Sequence, residues 1–229
     1  MSLIISAVYT DSVVMLTDGA TIDEDGILQM VGTKVAVSRS LPLAVSCRGS
    51  YAICSVLLDA VATVSEMGTF DQTIATVEAM ILQNRGMLEK EGLEFELMIA
   101  GISETVGACH FHMASKALEG FYDAWAMKLL DYACMIFGGV WDRISSGVSD
   151  EMLIAAGEDG FRQYGVQIVD AMRAAEGNEP GAARPGCVVI GGRLDLTVIT
   201  RDGATIERLH TWPDVIGKRI DPLRLPQAA

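Results

Sequence analysis

An α+β sandwich, with sheets at its centre and helices laid over them, is the fold class this sequence predicts. Short β-branched runs open and close the chain, two long stretches of helical period follow the first runs, and strands return between the helices. LIISAV (Leu3 to Val8) and VVMLTD (Val13 to Asp18) flank the turn-forming TDS and read as a hairpin. The turn DEDG (Asp23 to Gly26), the runs ILQM and TKVAVS, and LPLAVSC ahead of Gly49 extend it, so an antiparallel meander is expected up to Arg48.

The period then changes. Ile53, Val56, Leu57, Ala60, Val61 and Val64 recur at helical spacing, and Phe70, Ile74, Val77, Ile81 and Leu88 repeat it after a break at Met67-Gly68. FELMIAGIS (Phe95 to Ser103) and GACHFHMAS (Gly107 to Ser115) restore strand character, and a helix is expected near Val166 to Ala175. VVIGGRLDLTVITRDGATIERLHTW closes the chain as a hairpin with its turn at Asp202-Gly203. GNEPGAARPG, residues 177 to 186, is rich in Gly and Pro, yet the strand after it needs a sheet to join, so it reads as a surface loop inside one domain spanning 1–229.

The 229 residues suffice to bury a substantial core, and 50% of them are hydrophobic. No apolar stretch reaches the length of a membrane span, and the first residues lack a signal-peptide pattern, so a soluble, cytoplasmic protein with no membrane partner is expected. Thirty acidic against seventeen basic residues give a net charge of −13, which repels a polyphosphate chain and argues against nucleic acid. The five cysteines (Cys47, Cys54, Cys109, Cys134, Cys187) are odd in number and lack C-x-x-C spacing, which fits a reducing compartment. No Gly-rich phosphate loop is present, and no cofactor is expected.

Ser2, Asp18 and Lys34 each begin, end or interrupt an apolar run near the N-terminus. A serine hydroxyl needs a base to become a nucleophile, and a free α-amine, with a reference pKa of about 7.7 to 8.0, supplies one on the same residue once Met1 is removed. Neighbouring strands would bring Asp18 and Lys34 to Ser2, where the ammonium tunes the amine and the carboxylate holds the ammonium. Taken singly, each residue also has an ordinary reading: a common chain start, an Asp-Gly turn, a solvated lysine.

Their spacing, sixteen positions and then sixteen again, resembles that of the proteasome β-subunit and HslV peptidase family of N-terminal nucleophile hydrolases, with Ser in place of the N-terminal Thr. DGAT (Asp18 to Thr21) is similar to the family's segment after the second strand, one residue shorter, and Lys34-Val35 fits its Lys followed by an apolar residue. SCRGSYAI resembles the turn that donates a backbone N–H to the oxyanion, with Arg48 where the family usually has Gly and Gly49 beside it. FELMIAGIS and IGGRLDLTVITRDG resemble its central and late strands, and Ser146 in ISSGVSDEML matches the serine of its G-S-G segment. The family's further Asp and Ser, ahead of its double glycine, are absent: Cys187 and Ile190 stand there. The stretch 116–143 is longer than its counterpart and reads as a packed insertion or a subunit contact.

The resemblance implies a four-layer αββα sandwich, peptide-bond hydrolysis through Ser2, catalytic roles for Asp18, Lys34 and Ser146, and an oxyanion donor at Arg48 or Gly49. It also implies a homo-oligomeric ring, a polypeptide substrate and an ATP-dependent unfoldase as partner. An inactive ring-forming subunit and a small-molecule amidase are the alternatives. His110 and His112 share a strand face, but with His210 as the only other histidine they read as ordinary strand residues and no metal is expected. Cys187 reads as core in an apolar strand, and Met67, Met80, Met87 and Met172 as core or subunit contact.

Overall fold

The computed structural model describes residues 3–118, 121–139, 142–175 and 187–222. Ser2 and the segment 177–186 therefore lie outside the described residues. In chain order the elements are β1 (Ile4–Val8), β2 (Ser12–Asp18), β3 (Ala20–Ile22), β4 (Leu28–Val31), β5 (Val35–Val37) and β6 (Leu43–Gly49). After them come α1 (Tyr51–Ser65), α2 (Phe70–Lys90), β7 (Phe95–Ser103), β8 (Gly107–Ala114), β9 (Lys128–Leu129) and β10 (Cys134–Phe137). The chain continues with α3 (Arg143–Ser146), α4 (Asp150–Ala156), α5 (Gly160–Ala175), β11 (Arg193–Thr200) and β12 (Gly203–Thr211).

The result is an α+β fold whose sheets are antiparallel throughout. One sheet runs β10-β1-β2-β11-β12, another runs β5-β6-β7-β8-β9, and β3 pairs with β4 alone. Alternation along the strands decides what each face meets. Ile4, Val13, Met15 and Ile199 of the first sheet share a core with Val35, Ala44, Met98 and Ala100 of the second. Ile5, Ala7, Val14, Leu16, Leu194 and Leu196 point the other way, onto Phe161, Ile168, Val169 and Met172 of α5. The outward face of the second sheet, with Leu43, Val45, Leu97 and Ile99, packs on Ile53, Leu57 and Val61 of α1 and Phe70, Ile74, Val77 and Ile81 of α2. A strand covered on both faces needs apolar residues at successive positions, which is why VVML in β2 shows no alternation.

The two long helices form where their period places them. The Thr69 hydroxyl accepts from Gln72 N while Gln72 reaches back to Thr69 N, closing a capping box at the start of α2. Glu104, from the β7–β8 turn, adds its carboxylate to the N–H groups of Phe70 and Asp71. Among the described residues no helix is long and apolar enough to cross a membrane.

Three expectations change. The meander up to Arg48 is split: β1 and β2 stay in one sheet, β3 and β4 form a separate hairpin, and β5 and β6 enter the other sheet. The helix expected from Val166 begins at Gly160, because Phe161 already anchors it in the core. Residues 188–190 are not a strand, and Cys187 lies half-buried in that irregular segment, its Sγ against Gly26. Within 116–143, β9 extends one sheet along β8 and β10 extends the other along β1, so this segment supplies an edge to each.

Candidate active site

Asp18 closes β2, and its side chain is fully buried. Its two oxygens take four donors. Oδ1 accepts from Leu3 N at 2.9 Å and from Lys34 Nζ at 3.0 Å, while Oδ2 accepts from Ala20 N and Gly191 N, each at 3.1 Å. An isolated carboxylate at this depth would be prohibitively costly, and this set of partners is what makes the burial tolerable.

Lys34 sits directly before β5, at the end of the second sheet, and reaches across to the first. Its side chain is 12% exposed, so the ammonium stands at the boundary between the buried carboxylate and solvent. The Ser46 hydroxyl on β6 donates to Lys34 O at 2.9 Å and fixes the backbone from which that side chain departs. Arg193 adds a second brace, bonding Thr33 Oγ1 through Nη2 and Asp195 through Nε at 2.8 Å.

The Gly191 donor is held from further back. Arg173 of α5 is buried and donates to Ile190 O at 2.8 Å and to both carboxylate oxygens of Asp214 at 2.9 and 3.0 Å. Asp214 in turn accepts from Gly192 N at 2.7 Å. The arginine plane also lies over the Trp212 ring, 4.3 Å from its centroid. A Cβ on Gly191 would come within 2.6 Å of Asp214 Oδ2 and 2.8 Å of Arg173 Nη1, so this close approach of backbone to ion pair requires glycine. Ile190, noted in the sequence with Cys187 for the missing Asp and Ser, contributes its carbonyl to Arg173 while its side chain packs in the core with Met172.

In front of Lys34 opens a cleft of about 170 Å³, bounded by Thr21 and Met30 on one side and by Gly49, Tyr51 and Cys54 on the other. Gly49 lines it and Arg48 does not. The Arg48 guanidinium pairs with Glu96 at 2.9 Å, on the side of β6 that meets β7. Gly49 has φ near +130°, and a Cβ there would lie 2.2 Å from Glu94 O, so this bend into α1 needs glycine. Ser146 ends α3 and is buried; its hydroxyl donates to Arg143 O and accepts from Val148 N, both at 3.3 Å, while its carbonyl accepts from Gln167 at 2.7 Å.

Two thiols belong to the same cleft, Cys47 on β6 and Cys54 in the first turn of α1. Burial pushes the Cys47 thiol well up. The neighbouring Cys47 thiol, ahead of the Lys34 charge, holds Cys54 below the usual thiol range, while Cys47 Sγ itself donates to Arg48 O at 3.9 Å. His110 and His112 lie elsewhere, between the sheets. His110 contacts Ser6 Oγ at 3.0 Å and Tyr132 O at 2.9 Å, whereas His112 stacks on Phe137 at 4.7 Å and leans on Tyr122.

Lys34 and Gly49 thus line one cleft with Asp18 buried behind Lys34, Arg48 pairs with Glu96 outside the lining, and Ser146 bonds to Arg143, Val148 and Gln167. Sequence reasoning missed Ser46, Arg173, Gly191 and Asp214; the one visible hint was the Gly191-Gly192 pair. Comparison of the sequence with models of known protein families and with characterised proteins finds no match.

Proposed function

We propose that this chain is an N-terminal nucleophile peptidase of the proteasome β-subunit and HslV kind, with a four-layer αββα sandwich, acting through Ser2 once Met1 has been removed. The observation that carries the reading is the shared oxygen of Asp18: Oδ1 holds the N–H of Leu3, the residue covalently attached to Ser2, and the ammonium of Lys34. Lys34, bound to that same oxygen, also lines an open cleft with room for a substrate carbonyl.

Ser2 Oγ attacks the scissile carbonyl and passes its proton to the Ser2 α-amine, whose basicity the Lys34 charge lowers toward neutrality. The Gly49 N–H at the cleft wall stabilises the oxyanion, and water then releases the acyl-enzyme. Lys34 and Asp18 are in this account a tuning pair and its anchor. The same reading includes assembly of copies into a ring, polypeptides as substrate and an ATP-dependent unfoldase as partner.

A second reading, a catalytically silent subunit of the same architecture, is favoured by Cys187 and Ile190, which stand where hydrogen-bonding side chains would orient the amine. Intact mass of the protein from its native source, followed by labelling with a peptide boronate or β-lactone, separates the two. Loss of methionine with one label on Ser2, abolished by Ser2→Ala, supports the peptidase; retained Met1, or an exposed Ser2 that neither labels nor cleaves peptides, refutes it.

A further inference from the structure

We propose that Cys47 and Cys54 together form a dithiol modification site in the cleft, one that takes peroxides and soft electrophiles such as trivalent arsenicals. The two residues flank the junction of β6 and α1 and both line the space in front of Lys34. On α1, Tyr51, Cys54, Ser55 and Leu58 follow the helical period and turn one face to that space, which puts Cys54 beneath the cleft and the more deeply buried Cys47 next to it.

Reactivity follows from the surroundings. A thiolate is the reacting species, and Cys54 has surroundings that favour it: the Cys47 thiol and the Lys34 ammonium on the same cleft. Burial pushes Cys109 to about 11, which leaves it mostly as a thiol near neutral pH; Cys134 is exposed on β10 of the other sheet and lies outside this cleft. The cleft, at about 170 Å³, admits a small oxidant.

With hydrogen peroxide the Cys54 thiolate attacks one oxygen and the O–O bond breaks, giving a sulfenic acid and, after protonation of the leaving hydroxide, water. Cys47 then attacks that sulfur and expels a second water, so two thiols and one peroxide become one disulfide and two waters. With an arsenoxide the two thiols displace the oxygen as water and hold the arsenic between them. Either product ties the first turn of α1 to β6 and alters the wall facing Lys34. The chemistry is independent of peptide cleavage, so its test stands apart from that of the peptidase reading.

The test treats the reduced full-length protein with hydrogen peroxide or, separately, with phenylarsine oxide, and reads intact mass and a disulfide map. Expected are the loss of two hydrogens per chain, reversed by dithiothreitol, with Cys47 joined to Cys54, and one arsenical adduct per chain. Cys47→Ser should stop at a sulfenic acid on Cys54 that dimedone traps, and Cys54→Ser should lose both the bridge and the adduct. If either variant fails circular dichroism as a folded protein, the wild-type map decides alone. Cys47 and Cys54 both remaining open to alkylation after peroxide, a bridge through another cysteine, or an adduct that persists in folded Cys54→Ser overturns the proposal.

Discussion

Replacing Asp18 with alanine removes one acceptor group and strands four donors: the N–H groups of Leu3, Ala20 and Gly191 and the ammonium of Lys34. Cutting one partner from a buried ion pair costs about 3 to 5 kcal/mol, since the other charge stays desolvated without its counter-charge. Lys34 is 12% exposed and can turn partly to water, which lowers its share, but the Leu3 and Gly191 N–H groups are buried and have no such escape. The lower figure therefore sets a floor, about 3 kcal/mol, which for a chain of this size is a fall in Tm of roughly 6 to 12 °C. Urea unfolding followed by tryptophan fluorescence measures it directly. Lys34→Met leaves Asp18 its three N–H donors and should cost less than Asp18→Ala. A loss below about 1 kcal/mol in Asp18→Ala, or a larger loss in Lys34→Met, would refute the argument that this carboxylate organises the site.

Three further outcomes follow from other parts of the molecule. His112 is buried with both ring nitrogens lacking a hydrogen-bond partner among the described residues, and burial holds its pKa down at about 4 against an ordinary 6.5. The unfolded chain takes up that proton first as pH falls, so stability is constant above 6.5, declines by about 3 kcal/mol toward pH 4 and is flat below; His112→Phe should flatten that segment of a pH series of unfolding curves. Asp214→Ala leaves the Arg173 guanidinium buried and should destabilise by about 3 to 5 kcal/mol in the same assay, with Arg173→Met/Asp214→Ala losing less than the sum of the singles. Gly49→Ala forces a side chain into a glycine-only conformation and onto Glu94 O, so chemical denaturation should show a loss of at least about 1 to 3 kcal/mol.

Local patterning made much of the fold legible. The hairpin of β1 and β2, the helices α1 and α2 and the strands FELMIAGIS and GACHFHMA stand where period and turn residues place them, because each is set by contacts between residues near in sequence. The division of the first six strands between sheets was not legible. A run such as VVML, buried on both faces, carries no alternation to say which neighbour it will meet. The start of α5 was missed for a related reason: Phe161 earns its place through the first sheet's outer core, which the helix meets only after folding.

At the site, that Asp18 and Lys34 would pair was what the resemblance implied, since β2 and β5 belong to different sheets. The sequence by itself determined only that each stands at the edge of an apolar run and that a serine lies one residue ahead of Leu3. Tertiary structure decided the rest. Gly191 reaches Asp18 across 173 positions, Arg173 and Asp214 meet through a turn that neither adjoins, and Cys47 comes to Cys54 only because α1 folds back on β6. Such contacts depend on loop closure and on the packing of whole layers, and no residue involved carries a local trace of the partner it will find.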